Sequence, residues 1–178
     1  IPSPASSNLP LLQDYKDWFD NKVFTEGEKF LPLGDDGGWR NTTLENLLHE
    51  TKKKSEGNEK VHSVSVSLGL VDQVKHLGRS YAADSTDHYN RVETGDIVYT
   101  RSPTGDFPLG VVKQSMIPYS AIVSPLYGVF EPVSFNLGYI ISVYFESPTR
   151  ANNYLTPIVQ KGVKNTISCN NQTFLTGY

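Results

Sequence analysis

The stretch Tyr89-Asn-Arg-Val-Glu-Thr-Gly95-Asp96-Ile97-Val98-Tyr99-Thr-Arg101 decides the fold, together with Pro108-Leu-Gly110-Val-Val112-Lys113 and Ile122-Val-Ser124-Pro125-Leu-Tyr127-Gly-Val-Phe130. Its first piece is a loop that turns at Gly95-Asp96 and feeds an apolar, β-branched run, the pattern of a buried strand. The two pieces after it read as further strands with Pro and Gly at their ends. Strands are therefore expected over residues 96–101, 108–114 and 120–130, with Pro103-Thr-Gly-Asp106 turning between the first two. Ser124-Pro125 reads as a bend inside an edge or bulged strand. Nothing in the block activates a nucleophile or holds a metal.

Upstream, Val61 to Leu68 alternates. His62, Val64, Val66 and Leu68 fall on one side and Val61, Ser63, Ser65 and Ser67 on the other, which predicts a half-buried strand. Thr42-Thr-Leu-Glu45 has the form of a capping box. A short helix carrying Leu44, Leu47 and Leu48 should follow, with Lys52-Lys-Lys54 complementing its dipole. Downstream, Leu137, Ile140, Ile141, Tyr144 and Phe145 keep helical spacing. Ser147-Pro148 then offers an N-cap and first position for another helix, which Pro157 ends or kinks. Gly162 to Phe174 reads as loop and short strand.

Residues 1–38 differ from the rest. Residues 1–10 are Pro/Ser-rich and expected to be extended or disordered. Leu11, Leu12, Tyr15, Trp18, Phe19 and Val23 give one amphipathic helical stripe, and Gly34-Asp-Asp-Gly-Gly38 marks a boundary. The organisation expected is an N-terminal arm over 1–38 and a main domain over 39–178. The start lacks the charged and apolar regions of a signal peptide and lacks Met, so the chain reads as processed or cut down. No apolar run reaches 18 residues, so no membrane span is expected.

Composition narrows the class. Ten Tyr and eight Phe against one Met suit β-rich packing. The single Cys169 can form neither an internal disulfide nor a cysteine zinc site, and it points to a reducing, cytoplasmic setting. The net charge of −3 argues against a simple nucleic-acid binder. Residues 1–38 carry three Lys against seven Asp/Glu, or −4, while residues 39–178 carry eight Lys and five Arg against twelve Asp/Glu, or +1. The main domain is thus near neutral and able to present a basic face, without the polybasic character that drives strong non-specific DNA affinity.

Catalytic patterns are incomplete. Gly78-Arg-Ser80-Tyr-Ala82 comes close to a hydrolase nucleophile elbow, but Ala82 stands where the second glycine belongs and no helix pattern follows. His49, His62, His76 and His88 lack ligand spacing. Ser124-Pro125-Leu126-Tyr127 departs at Leu126 from the Pro-Pro-aromatic loop of amino-group methyltransferases, and no glycine cluster follows a strand to hold S-adenosylmethionine. Asp84, Asp87, Glu93 and Asp96 cluster in sequence, but Asp96 and Lys113 have no evident third partner for a metal-dependent nuclease. No cofactor and no metal site is expected.

The order of the pieces resembles the target-recognition domain of type I restriction-modification specificity subunits. Val61–Leu68 running into Gly69-Leu-Val71-Asp-Gln73 is similar to that family's "strand, Gly, two apolar residues, Gln" segment. Tyr89 followed by Gly95-Asp96-Ile97-Val98-Tyr99 is similar to its "Tyr … Gly-Asp-Phe-Val-Tyr" signature. Pro108-Leu-Gly110, then Val123 to Phe130, then the helix with Tyr139, Tyr144 and Phe145, then Gly162-Val-Lys164-Asn165 with Ile167-Ser168 and Phe174, follow in the family's order. The resemblance covers about residues 39–178. Residues 1–38 match nothing in it, and the family's Pro-rich turn and long spacer helix are not reached by Tyr178.

The resemblance implies an α+β domain with a mixed, mainly antiparallel sheet and a few helices, like the specificity domains of DNA methylases. It implies a non-catalytic reader of double-stranded DNA acting in host defence. Separate methylase and restriction subunits would supply the chemistry with S-adenosylmethionine, ATP and magnesium, and a second recognition domain would lie in the same or another chain. Phosphate-binding cations are sought among Lys52, Lys53, Lys54, Arg79, Arg101, Lys113, Lys161 and Lys164. Base readers are sought among Arg79, Tyr81, Arg101, Ser102, Thr104 and Asn165, because paired donors and acceptors on rigid loops read base edges. For Lys52–Lys54 a solvated helix terminus and loop is the stronger reading. Two other classes stay open: a methyltransferase or nuclease fragment acting in one chain, and a β-rich protein-interaction module.

Overall fold

The computed structural model of the chain describes residue 17 and residues 42–78, 85–161 and 167–177. The stripe over Leu11–Phe24 (Asp17 apart), the Gly34–Gly38 boundary, the stretch from Arg79 to Asp84 and residues 162–166 lie outside the described residues. From Thr43 onward the chain forms one unit, and it is the one described below.

Its strands are β1 (Leu48–Glu50), β2 (His62–Ser65), β3 (Gly69–Asp72), β4 (Asn90–Val92), β5 (Ile97–Tyr99), β6 (Val112–Gln114), β7 (Ala121–Val123), β8 (Gly128–Pro132), β9 (Gln160–Lys161) and β10 (Ile167–Ser168). Its α-helices are α1 (Gln73–Leu77), α2 (Phe135–Glu146), α3 (Pro148–Leu155) and α4 (Asn171–Thr176). The architecture is α+β, and every pairing between these strands is antiparallel. The one parallel element among the described residues is an isolated bridge, Val61 to Ile122.

The central sheet has the order β1-β8-β5-β6, with Ile97 opposite both Phe130 and Gln114. β5 is fully buried, as its unbroken apolar run predicts. Side chains alternate across a sheet, so Ile97 and Tyr99 pack with Phe130, Ile141, Phe145, Leu155 and Phe174 on the helical side. Val98 and Val129 pack with Leu70, Val92 and Val123 on the other. Gly95 starts the turn into β5 at φ +95°, where glycine is favoured. The turn closes when Asp96 accepts the Glu93 amide at 2.8 Å through its carboxylate.

α2 lies against β6 and β8 through small and polar contacts. Gly138 faces Gln114 and Pro132 so closely that a Cβ there would stand 2.5 Å from Gln114 Nε2. Ser142 Oγ accepts the Gln114 amide at 3.1 Å, and Gln114 Nε2 donates to the Phe135 and Gly95 carbonyls at 2.9 and 3.1 Å. Ser147 caps α3 with Pro148 in its first turn, as expected, and the helix ends at Leu155, before Pro157. Among the described residues no helix is long and apolar enough to cross a membrane.

Several local expectations are corrected. After Thr42 there is a single 3-10 turn, Leu44–Asn46, whose preceding Thr43 makes no side-chain cap. Leu48 opens a strand instead of continuing a helix, because pairing with β8 outweighs a capping motif whose apolar face is only Leu44, Leu47 and Leu48. Lys52–Lys54 therefore ends no helix; it extends the β1 chain toward β4, where Lys54 bridges Asn90. The alternation over Val61–Leu68 does not run as one strand. It folds at residues 66–68 into the β2–β3 hairpin, with Gly69 at φ +71° allowing the three-residue connection and Leu68 exposed. β6 begins only at Val112, since Gly110 takes φ +102° beneath the Tyr99 ring. Ser124-Pro125 lies between β7 and β8, which belong to different sheets, and not within one strand. Phe174 sits in α4, capped by Asn170, where loop or strand was expected.

Candidate nucleic-acid interface

The β7–β8 turn is built to hold one side chain in the open. Ser124 closes it: its carbonyl accepts the Tyr127 amide at 3.0 Å and its hydroxyl accepts the Leu126 amide at 3.2 Å. Pro125 fixes its own φ. The carbonyls of the turn are then taken from both flanks. Asn90 Nδ2, on β4, donates to the Tyr127 carbonyl at 2.9 Å and to the Pro125 carbonyl at 3.5 Å. Arg101 Nη1, just past β5, donates to the Leu126 carbonyl at 2.6 Å. Leu126 is left 73% exposed on a backbone held at three consecutive carbonyls.

The bonds continue outward on each side. Lys54 Nζ donates to Asn90 Oδ1 at 2.6 Å and to the His88 carbonyl at 3.2 Å, which places a cation beside the turn. On the other flank Arg101 Nη2 donates to Asn171 Oδ1 at the start of α4, and Asn171 Nδ2 donates to Glu50 Oε1 at 2.5 Å. Lys54, Asn90, the turn, Arg101, Asn171 and Glu50 thus form one hydrogen-bonded rim at one end of the sheet. Arg101 adopts φ +53°, the one positive φ outside glycine among the described residues. Such a backbone costs about 1–3 kcal/mol and persists only where surrounding contacts enforce it. Beside it, Thr100–Pro103, Leu126 and Ile167–Asn170 line a groove of 550 Å³.

The other sequence-predicted residues fall into three groups. Lys52 and Lys53 are exposed in the segment that ends at Lys54, and Ser102 and Thr104 are exposed on the loop after Arg101, Ser102 at the groove. Lys113 sits apart on β6 and is paired with Glu146 at 2.9 Å. Arg79, Tyr81, Lys164 and Asn165 lie outside the described residues, as does the side chain of Lys161. Arg101 is in the rim, but its guanidinium is spent on Leu126 and Asn171, so it positions the turn. Sequence reasoning missed Asn90, Leu126 and Asn171. The Ser-Pro pair was the available signal for a tight turn, but its lateral hydrogen bonds come from residues 25 to 37 positions away.

Arg91 is neutralised locally. Arg91 lies among Glu56, Glu59 and Glu93, with Nε 3.4 Å from Glu59 and 2.9 Å from Glu93. Asp96 is buried, which raises its carboxyl to about 6 against the Glu93 amide bond that lowers it. His62 is buried, with Nδ1 3.0 Å from the Lys60 carbonyl and Nε2 3.4 Å from the Tyr119 hydroxyl. Among the described residues no three His, Cys, Asp or Glu side chains stand together as metal ligands.

No protein-family model matches this chain, and no curated protein matches it.

Proposed function

We propose that the chain reads double-stranded DNA sequence as the target-recognition part of a type I restriction-modification specificity subunit. Methylase and restriction subunits would be its partners and would perform the chemistry, and a second recognition domain would complete the bipartite site. The observation that carries this reading is the rim: an exposed turn held rigid from both flanks, a cation at Lys54 beside it, and the exposed residues Ser102 and Thr104, whose hydroxyls donate to the Thr100 and Ser102 carbonyls at 3.3 and 3.5 Å. Rigid loops are what base readout needs, because ordering a mobile loop on binding would cost affinity. Lys52, Lys53 and Lys54 then serve as phosphate contacts, with Ser102 and Thr104 at base edges. Arg79, Tyr81, Lys161, Lys164 and Asn165 are proposed as further DNA contacts from residue type and their place in the sequence.

Selection of bound duplexes from a random library by the purified full chain tests it. A recovered consensus, bound more tightly than scrambled duplex and more weakly as salt rises, is expected. Equal affinity for all duplexes, or none, overturns it. A protein-interaction module is the second reading, favoured by the exposed Met116, Val133 and Phe135. Phe135 lies against Gly95, at the end of β5 opposite Arg101. That patch and the rim occupy opposite ends of one sheet, so protein contact and DNA contact are compatible.

A further inference from the structure

Resting on that DNA-reading proposal, we infer that Leu126 is a specificity-determining residue that packs against the C5-methyl group of a thymine. An aliphatic side chain 73% in solvent is ordinary on a loop that can relax. Here it cannot relax. Its own amide is bonded to Ser124 Oγ, its carbonyl to Arg101, and the carbonyls before and after it to Asn90. The network spends a strained Arg101 backbone and a guanidinium on fixing a turn that turns Pro125 and, furthest from the backbone, the Leu126 isobutyl group to solvent. An aliphatic group offers bases no hydrogen bond. It can recognise the one apolar substituent that base pairs display in the major groove, the thymine methyl. Lys54, joined to the turn through Asn90, supplies charge complementary to the phosphates alongside. A hydrophobic protein partner is the weaker fit, because Lys54, Arg101, Asn171 and Glu50 edge this end of the sheet and the groove beside Leu126 adds only Pro103 and the half-buried Ile167 to its accessible apolar side chains.

The test is a cycle between protein and DNA methyl groups. The consensus duplex from the random-library selection is remade with deoxyuridine replacing thymidine one position at a time, which deletes only the methyl. Wild-type protein should lose about fourfold in affinity at one position, the factor expected from leaving one buried methyl unburied. Leu126→Ala should bind the unmodified duplex correspondingly more weakly and show no further loss at that position. Leu126→Met, which keeps apolar reach, should retain part of the sensitivity. If Leu126→Ala binds like wild type, or if its deoxyuridine losses match those of wild type, the inference is wrong while sequence-specific binding stands. If wild type selects no consensus, the DNA-reading proposal itself has failed. Leu126 is exposed, so Leu126→Ala should keep wild-type thermal stability, which separates lost contact from lost fold.

Discussion

Arg101 and Asn171 are joined side chain to side chain across 70 residues, tying the loop after β5 to the first turn of α4. Asn171 also donates to Glu50, and the Arg101 Nε is buried without a hydrogen-bond partner. The guanidinium is therefore held by two acceptors only, and losing either should be felt by the whole rim.

Arg101→Ala and Asn171→Ala should each destabilise the fold by about 1 kcal/mol, the low end of the cost of removing one member of a charged hydrogen bond, because this one is only part-buried. The double variant should lose much less than the sum, because both changes break the same contact. Urea denaturation of the four proteins measures this. Strict additivity would mean that the pair is not coupled. Removing the side chain should also free the turn, so Arg101→Ala should weaken cognate DNA binding beyond its effect on random duplex, through Leu126.

Gly138→Ala should destabilise the packing of α2 by about 1–3 kcal/mol, despite alanine's better helix propensity. Its Cβ would meet Gln114 Nε2 at 2.5 Å and Pro132 at 2.9 Å. Gln114 holds the Gly95 and Phe135 carbonyls, so yielding would cost those bonds. Pairing Gly138→Ala with Gln114→Ala should recover part of the loss in thermal melts. No recovery would locate the strain at Pro132 instead.

Phe174→Ala should cost about 3–5 kcal/mol. The ring is fully buried and stacks on Tyr99 and Phe130 at centroid distances of 4.7 and 5.0 Å. Because α4 carries Asn171, amide hydrogen exchange should rise first in α4 and in the loop after β5. Uniform exchange across the domain would contradict that local route.

Asp96 gives a pH dependence with a definite sign. Burial raises its carboxyl from the ordinary 3.8 to about 6, so the folded state binds a proton that the unfolded state has released between those values. The associated stability is complete below pH 4 and is lost as pH rises through 6, by up to about 3 kcal/mol. Asp96→Asn keeps an oxygen for the Glu93 amide and removes the titration. It should flatten the stability curve between pH 4 and 6 and exceed wild type above pH 6. Parallel curves for the two proteins would rule this out.

Some of this architecture was written locally. β5 was legible because three consecutive apolar residues follow a Gly-Asp turn, and the turn's geometry is satisfied within four residues. The same holds for Ser147-Pro148 at the start of α3 and for the periodicity of α2. The chain from Leu44 to Lys54 was misread because its helix signals are local and weak, while the β1–β8 pairing that displaces them comes from residues about 80 positions later. The hairpin at 66–68 was hidden because alternation continues in register through a turn that only Gly69's positive φ reveals.

By itself, then, the amino-acid order determined the α+β class, the buried middle strand and the candidate polar loop at Ser102 and Thr104. Periodicity and turn chemistry are properties of neighbours in sequence. Only the tertiary structure decided that Asn90, Arg101 and Asn171 would meet at Ser124–Tyr127 and leave Leu126 in solvent. Hydrogen bonds between distant segments follow from strand pairing and packing, and no local pattern encodes which carbonyl a given side chain will reach.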